Sequence, residues 1–147
     1  MTETILFEIN KMVLKELLKY KLIPRKIKIA FDFHKQLYYR EKNNSHVIGN
    51  LAKKGTKKAF KLHTCAIVLK GYELQIGSKM IQKGEKKEPF IQKMVEFLEF
   101  LGFVVDLSVM DKEYYNKKIF KYLESKGITN IVPVRDSETL NALKENV

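Results

Sequence analysis

The segment IKIAFDFHK, residues 27–35, places one carboxylate, Asp32, between Phe31 and Phe33. Apolar residues alternate with polar or small ones along it, and this period-two pattern is typical of a half-buried strand. An ionised carboxylate among apolar neighbours is costly unless a cation or a set of hydrogen-bond donors compensates it. We therefore expect Asp32 to have a specific partner.

A second carboxylate, Asp111, closes another strand-like run, FVVDLSVMD. Period two puts Asp111 on the same face of this strand as three apolar residues. Those residues are Val105, Leu107 and Val109. Each aspartate also has an ordinary explanation, because Asp32 could be satisfied by a lysine or a loop amide and Asp111 could cap a following helix.

The sequence offers few histidine and cysteine side chains for catalysis or metal binding. Cys65 is the only cysteine, which excludes an internal disulfide and a thiolate metal cluster, and we expect it to pack in the core. His34 could touch a ligand, although a surface strand histidine is the interpretation we favour. His46 and His63 lack metal-ligand spacing and are interpreted as structural or solvated. Any metal must be held by oxygen, with a histidine as an optional further ligand.

The charge balance predicts a polyanionic partner. The chain has 28 Lys plus Arg against 17 Asp plus Glu, a formal net charge of +11, and nucleic acid is the first candidate. A membrane surface is the competing polyanion. No apolar run approaches the roughly 20 residues that span a bilayer, and the start MTETILFE is not a signal peptide. We therefore expect a cytoplasmic protein without a membrane partner.

Two lysine-rich segments, AKKGTKKAF and GEKKEP, are the candidate phosphate contacts. Tyr38 and Tyr39 beside them could stack on an exposed base, although we favour covering of a sheet edge. Arg135 leaves the last predicted strand and could also reach a phosphate. The full set of predicted contacts is Lys53, Lys54, Lys57, Lys58, Lys86, Lys87 and Arg135.

Helical periodicity predicts one amphipathic helix before Pro24. The residues on its apolar stripe are Ile5, Ile9, Val13 and Leu17. We interpret residues 1–24 as an N-terminal helix and residues 25–147 as the core domain.

The rest of the pattern predicts three strands, then helix, strand, helix, strand, helix. The segment from Gln36 to Phe60 lacks a sustained period and is predicted to be a long loop, and the two strand-like runs after it flank a tight turn at Gly71. The segment KEYYNKKIFKYLESKG is predicted to be one helix. The last helix is capped at Ser137. The residues expected to face inward on the KEYYNKKIFKYLESKG helix are Tyr115, Ile119, Tyr122 and Leu123.

This order fits an α/β domain with a mixed five-stranded sheet, in which three antiparallel strands precede parallel strands joined by right-handed crossovers. It is the order of the ribonuclease H-like fold.

Several motifs resemble, in the same order, the archaeal and bacterial insertion-sequence transposases of the DDE type. They are IAFDFHKQLYYREKN, KKGTKKAFKLHTCAIVLKGYELQIG, KGEKK, LSVMDKEYY and NIVPVR, and they run from about Lys26 to Arg135. In that family, the aspartate of the first strand and the aspartate closing the fourth are two of three carboxylates that bind divalent metal. Carried over, these are Asp32 and Asp111, and Tyr114 and Tyr115 match aromatic positions of the family motif.

The resemblance implies metal-dependent DNA cleavage and strand transfer at transposon ends. In this fold the first and fourth strands lie side by side and parallel, so the two carboxylates can converge, where they repel unless a cation lies between them. Mg²⁺ or Mn²⁺ suits an all-oxygen site. Two such ions, about 3.5 to 4 Å apart, can activate a water or a 3′-hydroxyl and stabilise the leaving oxygen.

The chain departs from the family at its third ligand, a glutamate on a later helix. Glu138 and Glu145 lie on the last predicted helix and could replace it, with Glu138 as our candidate, but neither lies in a recognisable version of the family signature. The chain therefore resembles a truncated or decayed core. The alternative is a catalytically inactive remnant that only binds DNA, and either form could work as a homodimer or with a longer transposase in trans.

Overall fold

The computed structural model of the protein describes residues 3–38, 47–53, 56–82 and 84–133, with side chains at 5–35, 60–82 and 84–133. Several residues of the sequence-based predictions lie outside these ranges, so the expectations for them stay predictions. They are Tyr39, His46, Lys54, Arg135, Ser137, Glu138 and Glu145.

The described residues form an α/β domain, as predicted. In chain order the elements are α1 (Glu3–Lys19), β1 (Lys26–Tyr38), β2 (Val47–Lys53), β3 (Thr56–Leu69), β4 (Tyr72–Met80), α2 (Glu88–Phe100), β5 (Val104–Met110), a 3₁₀ turn (Lys112–Tyr114), α3 (Lys117–Ser125) and β6 (Thr129–Ile131).

The six described strands form one mixed sheet. β1 pairs antiparallel with β3 on one side and parallel with β5 on the other, and β5 pairs parallel with β6. β4 and β2 both pair antiparallel with β3. Apart from β2, the order β4, β3, β1, β5, β6 is that of the ribonuclease H-like fold, so the predicted fold class is confirmed.

Strand β2 and the first part of β3 occupy the segment that was predicted to be a long loop. Ile48 pairs with Ala59, whereas Leu62 farther along β3 pairs with Met80 of β4, so β2 and β4 share one edge of β3. Apolar and polar residues alternate along a strand only where one of its faces is buried. This segment has no such alternation, so its sequence did not predict strands. The backbones of Lys53, Lys57 and Lys58 therefore lie on strands and not in a loop.

A register shift interrupts the pairing of β1 with β5. Ile27 pairs with Val105, but Lys28 pairs with Leu107, so Asp106 is an extra residue on β5. Such a residue is a β-bulge, which reverses the alternation of side chains along its own strand.

The bulge changes which residues of β5 face the core. Val105 is buried before the bulge, and Ser108 and Met110 are buried after it, whereas Val109 is 40% exposed. The prediction that Val105 and Val109 share one face is therefore wrong. The extra residue is the physical reason, because strict alternation holds only in an unbroken ladder.

Helix α1 forms as predicted, but its most deeply buried residue lies off the predicted stripe. Leu14 is 1% exposed and joins the core, and the Nδ2 of Asn10 donates to the carbonyl of Ile76 at 2.8 Å. Three residues of the predicted stripe, Ile5, Ile9 and Val13, are 49%, 43% and 45% exposed. The helix carries apolar residues on two neighbouring stripes, so its period alone does not select the packed one.

The segment after Asp111 is not one helix. A 3₁₀ turn ends at Tyr114, and α3 begins only after Asn116, whose side chain accepts from the N–H of Lys118 at 2.8 Å and caps the helix. This break changes which residues of the segment face the core, so Tyr114 is fully buried and Tyr115 is 41% exposed. The prediction that Tyr115 faces inward is wrong.

The core is one cluster of buried side chains from the sheet and the three described helices. Cys65 belongs to it, as predicted, and burial raises the pKa of its thiol. No helix among the described residues is long and apolar enough to cross a membrane.

Neighbouring residues of α1 provide a test of its orientation. We expect Leu14→Ala to lower the free energy of unfolding by about 2 to 5 kcal/mol, because it leaves a cavity in the core. Val13→Ala should change it by less than about 0.5 kcal/mol. Urea unfolding of both variants measures the difference, and equal losses would contradict the described orientation.

Candidate active site

Asp32 and Asp111 lie at adjacent positions on β1 and at the end of β5. Phe31 and Met110, the residues before them, pair across these parallel strands, and both are buried. The backbone N–H of Asp111 donates to the carbonyl of Phe31 at 3.3 Å, which continues the ladder by one residue. Successive side chains point to opposite faces, so both aspartates lie on the face opposite the buried pair. Neighbouring strands are about 4.8 Å apart, so one bound ion can reach both carboxylates.

The bulge at Asp106 brings the two aspartates into register. With the pairing of Ile27 and Val105 continued without a shift, Asp111 would lie opposite Phe33 and would face the core. The extra residue moves Asp111 back by one position, to the level of Asp32.

The surroundings of Asp32 differ from the expectation drawn from its apolar neighbours. Its side chain is 55% exposed, because Asp32 points away from the core that buries Phe31. Its Oδ1 accepts from the backbone N–H of Phe33 at 2.8 Å, and its Oδ2 lies 3.2 Å from the Nε2 of His34, which is 56% exposed. Solvent, an amide and a surface histidine therefore compensate this carboxylate. The expected donors are present, but the apolar neighbours in the sequence do not bury Asp32.

Asp111 caps the turn that follows it, which was its ordinary explanation. Its Oδ1 accepts from the backbone N–H of Glu113 at 3.2 Å. Its other oxygen has no hydrogen-bond partner among the residues that the structure describes. The cap fixes the orientation of the carboxylate and leaves this second oxygen for a ligand.

The donor set at this site fits a divalent cation. Mg²⁺ is commonly held by one or two carboxylates together with waters and substrate phosphates, and oxygen ligands suit Mn²⁺ as well. Among the described residues, no three His, Cys, Asp or Glu side chains come together in a metal-binding group. Glu138 and Glu145 lie outside those residues, so a third ligand stays a prediction.

Tyr114 connects the Asp111 turn to the neighbouring strands. Its hydroxyl donates to the backbone carbonyl of Asp32 at 2.9 Å and lies 2.7 Å from the Nδ1 of His63 on β3. Burial raises the pKa of Tyr114, so its hydroxyl is protonated at neutral pH. In the sequence, Tyr114 is recognisable only as a motif position, and nothing there indicates this contact with Asp32.

His63 lies in an aromatic environment and is 2% exposed. Its ring stacks on Phe90 with centroids 5.1 Å apart and meets the ring of Phe33 edge-on. Burial, together with the positive charges of Lys87 and Lys79, lowers the pKa of His63 from 6.5 to about 4. The histidine is therefore neutral at pH 7, and its interpretation as a structural residue is confirmed.

Positive charge collects around Glu113, two residues beyond Asp111. The Nζ of Lys35 is 3.4 Å from its Oε1, and the Nζ of Lys87 is 3.7 Å from its Oε2. Burial lowers the pKa of Lys61, and the charges of Lys35 and Lys87 lower it further, whereas the charge of Glu113 raises it. One carboxylate thus faces three lysines.

A shallow surface depression of about 720 Å³ extends this basic region. Five lysines and three glutamates line it, so its net charge is positive. The lysines are Lys86, Lys87, Lys117, Lys118 and Lys121. Two of them were predicted contacts, whereas the three on α3 were missed because they are typical of the solvated side of a helix.

No protein-family model matches this sequence, and no curated protein does. Among solved structures, the chain is similar to the piggyBac transposase synaptic complex with hairpin DNA, with 15% identity and a TM-score of 0.48 over 78% of this chain and 25% of that one. It is also similar to the simian T-cell lymphotropic virus intasome in complex with the PP2A regulatory subunit B56 gamma, with 16% identity and a TM-score of 0.45 over 85% of this chain and 37% of that one.

The Drosophila P element transposase strand transfer complex has 17% identity and a TM-score of 0.43 over 83% of this chain and 29% of that one. This chain thus spans well under half the length of each of the three. Since identities and TM-scores are low, we assign the fold from the strand order and not from these likenesses.

The buried histidine makes stability depend on pH. The unfolded chain protonates His63 near pH 6.5, whereas the folded chain does so only near pH 4, so the unfolded state binds more protons between these values. We expect the free energy of unfolding to fall as pH drops through this window, by up to about 3 kcal/mol from this residue.

Urea unfolding at several pH values between 7 and 4 measures this dependence. His63→Gln should flatten this dependence. A His63→Gln variant with the slope of the parent would contradict the assignment.

Proposed function

We propose that this chain is a DDE-type, transposase-like domain that binds DNA and cleaves its phosphodiester bonds with a divalent ion held by Asp32 and Asp111. The observation that supports it most is the register of these two aspartates, side by side on one face of adjacent parallel strands. Two like charges at adjacent positions repel unless a cation lies between them, and this supports a cation site here.

The two side chains would hold Mg²⁺ or Mn²⁺ through the oxygens that the backbone amides do not use. Among the described residues, this oxygen of Asp111 has no partner, and that of Asp32 lies 3.2 Å from the Nε2 of His34. An exposed surface contact of that kind is worth little, so His34 can be displaced at small cost. The bound ion would activate the attacking water or 3′-hydroxyl and stabilise the leaving oxygen.

DNA would reach this site across the basic region around Glu113. Lys86 and Lys87 lie there, and lysines of this kind contact phosphates without reading sequence. The strand positions Lys53, Lys57 and Lys58, together with Lys54 and Arg135, stay part of the proposed DNA surface. We also propose transposon ends as the DNA, with a homodimer or a longer transposase in trans as the working assembly.

Calorimetric titration with Mn²⁺ tests the site without a known DNA substrate. The parent should bind in the micromolar to low-millimolar range, and Asp32→Asn and Asp111→Asn should each abolish binding, because each removes half of the carboxylate set. Glu73→Gln, which removes the same charge from an exposed position of β4, is the matched control and should bind like the parent.

Cleavage of a labelled DNA duplex with Mn²⁺ is the second measurement. The two aspartate variants should lose cleavage and keep DNA binding. Equal cutting by the parent and both variants would contradict the site. DNA binding by the parent without Mn²⁺ binding or cleavage would instead support the alternative, an inactive remnant that only binds DNA.

A further inference from the structure

We propose that Tyr114 is a positioning residue for the two carboxylates, and that His63 in turn fixes the direction of the Tyr114 hydroxyl. Within the proposed function, on which this inference rests, Tyr114 would set the separation of Asp32 from Asp111 without touching a metal or substrate itself.

The protons in this network can be assigned from its contacts. A tyrosine hydroxyl has one proton, and a carbonyl oxygen has none to give, so the 2.9 Å bond requires Tyr114 to donate to Asp32. The 2.7 Å contact with His63 then requires the Nδ1 of the imidazole to carry a proton and donate to Tyr114. His63 is therefore the Nδ1–H tautomer, and its Nε2 is the unprotonated nitrogen.

The surroundings of His63 agree with this assignment. Its Nε2 is buried and has no hydrogen-bond partner among the described residues. A proton there would be an unused donor in an aromatic environment, whereas Nδ1 faces an oxygen at short distance. The neutral Nδ1–H tautomer is thus the form in which each proton of the His63 and Tyr114 side chains has an acceptor.

Tyr114 closes a ring of contacts that includes both aspartates. Its backbone N–H donates to the carbonyl of Asp111 at 3.0 Å, and the N–H of Asp111 donates to Phe31, the residue before Asp32. Its side chain returns to the carbonyl of Asp32. The turn is therefore attached to β1 at two successive residues, so the backbones that carry the two carboxylates cannot separate without breaking one of these bonds.

Loss of the Tyr114 hydroxyl should resemble the loss of other residues that orient a metal ligand without contacting the metal. Their loss typically weakens metal affinity by about 10- to 100-fold, while the ligands themselves remain. An aromatic residue that only filled the core would not have this effect, because phenylalanine fills nearly the same space.

The test compares Tyr114→Phe with Tyr122→Phe. Each variant loses one buried phenolic hydroxyl, but that of Tyr122 has no partner among the described residues. We expect Tyr114→Phe to fold and to bind Mn²⁺ about 10-fold or more weakly, and Tyr122→Phe to bind like the parent. Equal Mn²⁺ affinity of folded Tyr114→Phe and the parent would overturn the proposal.

A second measurement needs no variant that risks unfolding. Nitrogen-15 NMR of the parent at pH 7 should show His63 as the Nδ1–H tautomer, and an Nε2–H tautomer would overturn the proposal. A third measurement uses the variants: Tyr114→Phe should shift the backbone amide signal of Asp111, whereas Tyr122→Phe should leave that signal in place.

These measurements distinguish a failure of the proposed function from a failure of the positioning role of Tyr114. A parent that binds no Mn²⁺ contradicts the proposed function alone, and the positioning role is then decided by the tautomer and the Asp111 amide. A parent that binds Mn²⁺ and shows the Nε2–H tautomer contradicts the positioning role alone.

Discussion

One extra residue in β5 determines whether this domain has a candidate active site. Before Asp106 the pairing of β1 with β5 follows one register, and after it the pairing follows another, so Asp111 comes level with Asp32 on the face away from the core. Phe31 and Met110, buried just before the two aspartates, hold that register by packing. A one-residue slip would turn Asp111 into the core, where its charge would be costly. The candidate site therefore depends on a bulge and on the hydrophobic packing on either side of it.

The turn that follows Asp111 takes part both in core packing and in polar contacts. Tyr114 lies in the core, yet its hydroxyl reaches the backbone of Asp32, and His63 continues the contact to β3. On the exposed side, Lys35 and Lys87 pair with Glu113 beside the same turn. A pair of carboxylates next to a basic surface is the charge arrangement that a cation and a polyanion would both require. Core stability and the candidate chemistry thus depend on the same short turn.

Sequence patterns predicted the fold class because strand order and burial leave clear periods, and the pattern of β1 together with the motif order indicated Asp32 and Asp111 as candidates. They did not predict the bulge at Asp106, since an extra residue has no compositional signal. Nor did they predict the break at Asn116, after which Tyr114 is buried and Tyr115 is exposed. The Tyr114 to His63 contact joins residues 51 positions apart, so only the folded sheet reveals it.

The central claim is that Asp32 and Asp111 bind one divalent ion together, and paramagnetic broadening by Mn²⁺ tests it most directly. In a nitrogen-15 spectrum of the labelled protein, substoichiometric Mn²⁺ should first remove the amide signals of Phe33 and Glu113, whose N–H groups donate to the two carboxylates. Both signals should disappear at the same Mn²⁺ concentration. Broadening that begins elsewhere, for example around Glu99 or Glu124, or that reaches only one of the two amides, would contradict a shared site.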